Sequence, residues 1–367
     1  MNTPRQDGFR MPAEWEPHER CWMIWPERPD NWRDDAKPAQ QAFARMAAAI
    51  SRYEPLTMLA SAAQRQAARN ALPACVDIIE MPSNDSWARD TGPSFVTNGR
   101  ELRGVDWRFN AWAGLYAPWD ADDRLASSLC DRLGIPCYRA PLVLEGGAIH
   151  VDGEGTALVT EACLLDPARN PGVTRPMMES WLADYLGVTT IIWLGQGIPE
   201  DETGGHVDNL ACFASPGRVL LAWCGDPADP HHDVSRDAEA RLRRHGMEII
   251  KLPMPPPMFI TAAEAAGIQP GDSNMQRGEG ARLAASYVNF YLANGAVIAP
   301  AFGAATDGEA AAILARAFPG REIVMLPARE ILLGGGNIHC ITQQQPATAP
   351  AGRCRQQAAG FNNAAQG

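Results

Sequence analysis

A chain of 367 residues, 46% hydrophobic and 20% charged, can bury a sizeable core, and its length fits either two or three small domains or one large α/β domain. The formal net charge of -11, from 32 basic against 43 acidic residues, disfavours a nucleic-acid partner and suits a small cationic ligand. No run of 18 apolar residues is present to span a membrane, and the opening MNTPRQDGFRMPAEWEPHE has no apolar signal core, so a cytoplasmic protein is expected.

Nine cysteines, an odd number, are spread along the chain without a CxxC pair. That pattern reads as reduced thiols and excludes a disulfide framework. The seven histidines never fall at zinc-ligand spacing with cysteines, so no structural metal site is expected.

In chain order, residues 11–29 pack Trp15, Trp22 and Trp25 among prolines and acids and read as a loop entering a strand. Phe43, Met46, Ala47 and Ile50 then recur at i, i+3, i+4 and i+7, which predicts an amphipathic helix over 38–52. A strand at 56–60 and a short helix near 64–72 follow. The next segments echo one another: a polar motif, an alternating strand, a turn and a second apolar strand. The copies run over 84–107, 144–163, 203–224 and 285–302, with turns at Asn98-Gly99, Gly153-Glu154-Gly155, Pro216-Gly217 and Asn294-Gly295. Helix-like periodicity at 123–133, 174–186, 238–245 and 309–318 separates them, and short strands at 189–194, 248–252 and 322–326 follow three of these helices. The unit reads hairpin, helix, strand. Units that cannot bury their faces alone must pack together, so one catalytic domain over 1–367 is expected, with a poorly ordered tail at about 356–367. Residues 253–280, with PMPPPM and GDSNMQRGEG, form a long loop that could cover a cleft.

Polar clusters recur at the tips of these units: Asp90 in ARDTGP, Glu145 in LEGG, His206 and Asp208 in GGHVDN, and Cys340 in LGGGNIHC. Equivalent tips in a symmetric ring converge on its axis. His206 and Asp208 are two apart, so in an extended segment they share a face, whereas adjacent His339 and Cys340 point to opposite faces. His339 is therefore assigned a structural role, and Cys340 is the candidate nucleophile with His206 as its acid/base. Carboxylates near a thiol raise its pKa, unless the substrate is a cation that reverses the local field. A guanidinium does this, because its planar fork pairs with carboxylates and holds its central carbon before the sulfur. Thiolate attack would give a tetrahedral adduct, and His206 would protonate departing ammonia, then activate water against a covalent thiouronium. A Mn or Zn site on HxD plus distant acids is the rival chemistry, and plain capping of Gly-rich loops is the non-catalytic reading.

The motifs MPAEWEPHERCWMIWPERPDNWR, NDSWARDTGP, VDWRFNAWAG, LEGGAIHVDGEGT, DETGGHVDN, RLAASYVNFYLANG and GGGNIHCITQQQP, in this order over nearly the whole chain, resemble the agmatine deiminases of the guanidino-modifying (pentein) superfamily. The resemblance implies a five-bladed α/β propeller of ββαβ units. It implies hydrolysis of agmatine to N-carbamoylputrescine and ammonia, in polyamine biosynthesis or agmatine catabolism, without a cofactor or metal. By motif, Cys340 matches the nucleophile, His206 the acid/base, Asp90 and Asp208 the carboxylates on the guanidinium, and Glu145 the acid beside the histidine. For the distal amine of the substrate, Trp87, Asp201, Glu202 and Glu14 are the candidates, none of them basic. Arg89, if extended, points away from the face that Asp90 uses. Ala88 stands where a larger residue is expected and would loosen the wall near Trp87. A homo-oligomer, with a dimer favoured, is the expected assembly. Free or peptidyl arginine as substrate and a catalytically dead polyamine-binding protein are the alternatives.

Overall fold

Each turn expected from the sequence joins two antiparallel strands in the computed structural model, which describes residues 2–348 except 272, 274 and 276. The tail expected to be poorly ordered lies outside the described residues. The turns have local chemical causes: Asn98 Oδ1 accepts from the backbone N–H groups of Arg100 and Glu101, and Asp152 Oδ1 accepts from those of Glu154 and Thr156.

Strands β1 (His18–Ile24), β2 (Leu56–Ala60) and β3 (Asp77–Glu80) open the chain. Then come β4 (Ser94–Thr97), β5 (Leu102–Arg108) and β6 (Cys137–Val143), followed by β7 (His150–Val151), β8 (Thr156–Thr160) and β9 (Thr190–Leu194). The next triplets are β10 (Ala211–Ser215), β11 (Arg218–Trp223) and β12 (Glu248–Pro253), then β13 (Tyr291–Ala293), β14 (Ala296–Ala301) and β15 (Glu322–Pro327). In each of the last four triplets the first strand pairs antiparallel with the second, and the second pairs parallel with the third. A parallel pair needs a crossover, and helices Leu125–Leu133, Arg175–Leu186, His231–Arg244 and Thr306–Ala317 supply it.

The fifth sheet is built from both ends of the described chain. The final strand, β16 (Gln343–Pro346), pairs antiparallel with β1, which pairs parallel with β2 across helix Lys37–Ile50, and β3 adds an outer strand. The protein is a five-bladed α/β propeller, closed by its termini. Helix Lys37–Ile50 buries Phe43, Met46, Ala47 and Ile50 as the periodicity requires, against Cys21, Met23 and Met58 of the sheet. Burying Phe43 or Ile50 contributes roughly 1.5–3 kcal/mol each. Among the described residues, no helix is long and apolar enough to cross a membrane.

This topology determines where the chemistry sits. In every blade a short segment leads into the inner strand, and these leads carry Asp90 (before β4), Glu145 (before β7), His206 and Asp208 (before β10), Asn289 (before β13) and Cys340 (before β16).

Candidate active site

Asp90 lies in a one-turn helix, Ala88–Thr91, and is buried. Its Oδ1 accepts from the Gly147 N–H at 2.9 Å, and its Oδ2 accepts from the Trp112 indole N–H at 3.0 Å. Gly147 is where three leads meet. A Cβ added there would lie 2.6 Å from His206 Nδ1 and 2.9 Å from both Asp208 Oδ2 and Asp90 Oδ1, so only glycine lets the backbone come this close.

His206 and Asp208 do share a site, but not through an extended strand. Residues Val207–Asn209 form a 3₁₀ turn, which lifts both side chains toward the axis before β10 starts. His206 Nδ1 is 3.8 Å from Asp90 Oδ2, and its Nε2 is 3.4 Å from Glu145 Oε2. Cys340 likewise sits in a turn and not at a strand start, since β16 begins only at Gln343. The Arg89 N–H donates to the Cys340 carbonyl at 3.1 Å, and the Asn289 side-chain amide donates to Cys340 Sγ at 3.2 Å. The sulfur is 3.6 Å from Asp208 Oδ2.

The opposite-face argument for His339 fails for the same reason: the segment is not extended. His339 Nδ1 contacts Asp208 Oδ2 at 2.9 Å, the oxygen that also faces Cys340 Sγ, and Nε2 contacts Glu14 Oε1 at 2.8 Å.

Burial and charge set the protonation states. Burial pushes Asp90 up to about 6, and nearby Asp208 and Glu145 push the same way, against the pull of His206. Burial opposes ionisation of Glu145, yet the Arg169 guanidinium and His206 outweigh it and hold the group at about 2. Burial also works against charged His206, but Asp90, Cys163 and Glu145 overcome this and raise it well above the ordinary imidazole range. Burial lifts the Cys340 thiol well above its usual range, reinforced by Asp208 and Asp90. Burial and the neighbouring acids thus favour the neutral thiol of Cys340, while the acids around His206 favour its charged form. In this cluster Asp208 Oδ1 is buried and has no hydrogen-bond partner among the described residues.

A narrow cleft opens onto this cluster, lined by Trp87, Asp90, Trp112, Glu202, Arg277 and Cys340 among others. Of the residues expected to meet the substrate's far end, Trp87 and Glu202 line it. Asp201 is a buried clamp instead: its Oδ2 accepts from His206 N–H and the Asn209 amide, both at 3.0 Å, and its Oδ1 accepts from Thr203. Glu14 is not at the mouth, because the N-terminal segment runs beneath the site and buries it among His339, Arg89 and His150. Arg89 points away from the cleft, though from a helical turn, and reaches Glu14 at 3.4 Å. Ala88 does not loosen the cleft wall; it packs in the core with Trp22, Ile24 and Phe95.

Several site residues escaped the sequence reading. Asn289 occupies the tip of the fourth repeat, where alignment with the other tips could have found it. Trp112 is presented from a left-handed run, Ala111, Trp112 and Ala113, all at positive φ, a backbone that no sequence pattern announces. Arg169 is buried on both Glu145 oxygens, at 3.0 and 3.2 Å. The long loop at 253–280 contributes Met275 and a basic residue at the mouth, Arg277, which ion-pairs with Glu202.

Glu145, Cys163 and His206 bring ligand atoms within 4.8 Å of one another, the spacing a metal ion could use. The Arg169 guanidinium already covers the Glu145 carboxylate, so a second cation would meet a fixed positive charge there. The cluster suits proton transfer better than metal binding.

Comparison with known proteins identifies relatives over nearly the whole chain. Residues 10–346 match the profile of the Porphyromonas-type peptidyl-arginine deiminase family. The agmatine deiminase of Stutzerimonas stutzeri is 53% identical over 364 residues, covering 94% of this chain and 98% of that protein. That of Pseudomonas aeruginosa is 52% identical, covering 95% and 99%. Among solved structures, an agmatine deiminase of Enterococcus faecalis superimposes with a TM-score of 0.92 at 45% identity, covering 95% and 99% of the two chains. A substrate-bound cysteine-to-serine variant of the C. jejuni agmatine deiminase superimposes with a TM-score of 0.82 at 25% identity, covering 93% and 97%.

Proposed function

The chain belongs to the Porphyromonas-type peptidyl-arginine deiminase family, and from that membership we propose that it is an agmatine deiminase working through Cys340. The observation that carries the reading is a buried thiol 3.6 Å from a carboxylate, Asp208, whose other oxygen has no partner. Buried acceptors without donors call for a cationic hydrogen-bond donor. A guanidinium supplies both the charge and the planar fork, and Asp90, which lines the cleft, offers the second carboxylate.

The substrate's charge offsets the field that keeps Cys340 protonated, so nucleophile activation and substrate binding are one event. Sulfur attacks the guanidinium carbon. The thiol proton and the proton of His206 together carry the leaving nitrogen off as ammonium, which leaves a thiouronium on Cys340. His206, now neutral, takes a proton from water as its oxygen attacks the same carbon. The C–S bond then breaks, restoring the thiol and releasing the ureido product, N-carbamoylputrescine. Over the cycle one water is consumed and ammonia departs as ammonium. Glu145, held ionised by Arg169, keeps the imidazole charged when it must act as an acid.

Arg277 at the mouth favours a second reading, deimination of arginine, whose α-carboxylate it could pair. Its ion pair with Glu202 weighs against this, because the two charges offset one another and an incoming ammonium can compete for the acid. Ammonia release from agmatine, free arginine and an arginine-containing peptide, assayed side by side, decides between them. Agmatine is expected to be turned over far faster than the other two; equal or faster turnover of arginine would transfer the assignment to that substrate.

A further inference from the structure

The mechanism above leaves a buried group of charges unused. Beneath Asp208, His339 lies between two carboxylates, with Nδ1 2.9 Å from Asp208 Oδ2 and Nε2 2.8 Å from Glu14 Oε1. Glu14 is joined by Arg89 Nη1 at 3.4 Å and by His150 Nε2, 3.7 Å from its other oxygen. Together with Cys212, Val288 and Phe290, the residues Glu14, His150, Asp208 and His339 line a small internal cavity under the site. Asp208, His339, Glu14, Arg89 and His150 are all buried.

We infer that His339, backed by Glu14 from the N-terminal segment, is a positioning residue that fixes the Asp208 carboxylate in the orientation that grips the guanidinium. The inference rests on the deiminase reading given above. An imidazole that faces a carboxylate at each nitrogen donates at both and is held as imidazolium; Glu14 and Asp208 raise its proton affinity against burial and Arg89. One Asp208 oxygen is thereby engaged from below. The other, Oδ1, is left without a partner, and a carboxylate fixed at one oxygen presents the second in a defined direction. The backbone strengthens the arrangement: the His339 N–H donates to Asn289 Oδ1 at 2.9 Å, and the amide of the same Asn289 donates to Cys340 Sγ. Nucleophile and carboxylate are thus registered by one turn. His339 does not line the cleft; it acts through Asp208.

The test is equilibrium binding of agmatine by calorimetry in the Cys340→Ala background, which binds without turnover, combined with kcat and KM against pH in the otherwise native chain. Adding His339→Ala is expected to weaken agmatine binding by roughly 10- to 100-fold, the range found when the partner behind a ligating group is removed. His339→Asn, whose amide N–H can reach the same Asp208 oxygen, is expected to recover most of that loss. Glu14→Gln is expected to raise KM more than it lowers kcat, with the acid limb of kcat/KM left in place. The groups facing His339 throughout are Asp208, Glu14, Arg89, His150 and Cys340. Unchanged agmatine affinity in His339→Ala, or equal losses in the Ala and Asn variants, would overturn the inference. If His339→Ala does not fold, Glu14→Gln decides alone, and a wild-type KM in that variant refutes the role. Failure of the deiminase reading is distinct: in that case the native chain itself would release no ammonia from agmatine.

Discussion

At 146–150 the pattern GGxIH brings its second glycine, Gly147, bare against His206, Asp208 and Asp90, and its histidine, His150, begins β7. At 335–339 the same pattern brings Gly336 bare against the Trp87 ring, and its histidine bridges Glu14 to Asp208. The two imidazoles lie 6.4 Å apart on the same Glu14 carboxylate. The copies part at the next residue. After His150 the chain is already extended and Val151 enters the core, whereas after His339 the turn continues and Cys340 is held facing the cleft. One tip of a pseudo-symmetric ring yields packing and another yields a nucleophile, according to where the strand begins.

The largest expected effect exploits that contrast directly. Cys340→Ala should lower agmatine turnover by more than about 10⁴-fold, as loss of a covalent nucleophile does. Val151→Ala, at the equivalent position of the other copy, should leave kcat near wild type and cost about 2 kcal/mol of stability in denaturant unfolding. Next, Gly147→Ala pushes a methyl into His206, Asp208 and Asp90 at once and should lower kcat/KM by roughly 100-fold, the scale of an ångström-sized misplacement. Gly336→Ala meets the Trp87 ring and should act on KM more than on kcat.

The hairpin, helix, strand unit was legible because its turns carry their own chemistry and its helices their own period. The blade that closes the ring was not, since it joins β1 to Gln343–Pro346, and QQQP carries no alternating pattern to mark a strand. His206 and Asp208 were paired correctly from an extended geometry that the 3₁₀ turn replaces. That reasoning succeeded because both residues precede an inner strand, a property of the repeat and not of the local backbone. Glu14 shows the opposite case. An acid near a site motif reads as a surface group, but the path of the N-terminal segment beneath the axis buries it against His339, Arg89 and His150, and no local pattern encodes that path. Trp112 and Arg169 belong to the same class, positioned by left-handed backbone and by the crossover from β8 to β9.

A smaller effect separates the acids by pH. Asp90 is raised from its ordinary value to about 6, so it is neutral below that pH and cannot hold a guanidinium. The profile of kcat/KM, which reports the free enzyme, should therefore fall about tenfold per unit below pH 6, and Asp90→Asn should remove the limb along with most of the activity. A limb near the ordinary carboxylate range of about 4 would place the controlling acid elsewhere. The smallest effect is expected from Trp112→Phe, which deletes the indole donor to Asp90 Oδ2. About 1 kcal/mol for one hydrogen bond translates into a KM several-fold higher with kcat nearly unchanged.

The claim that Cys340 attacks a guanidinium carbon is tested most directly by quenching the protein with acid during turnover of agmatine and weighing the peptide that contains Cys340. A fraction of that peptide is expected to be heavier by agmatine less ammonia, with no such species without substrate or in Cys340→Ser. No adduct at any quench time, together with undiminished ammonia release by Cys340→Ala, would contradict it.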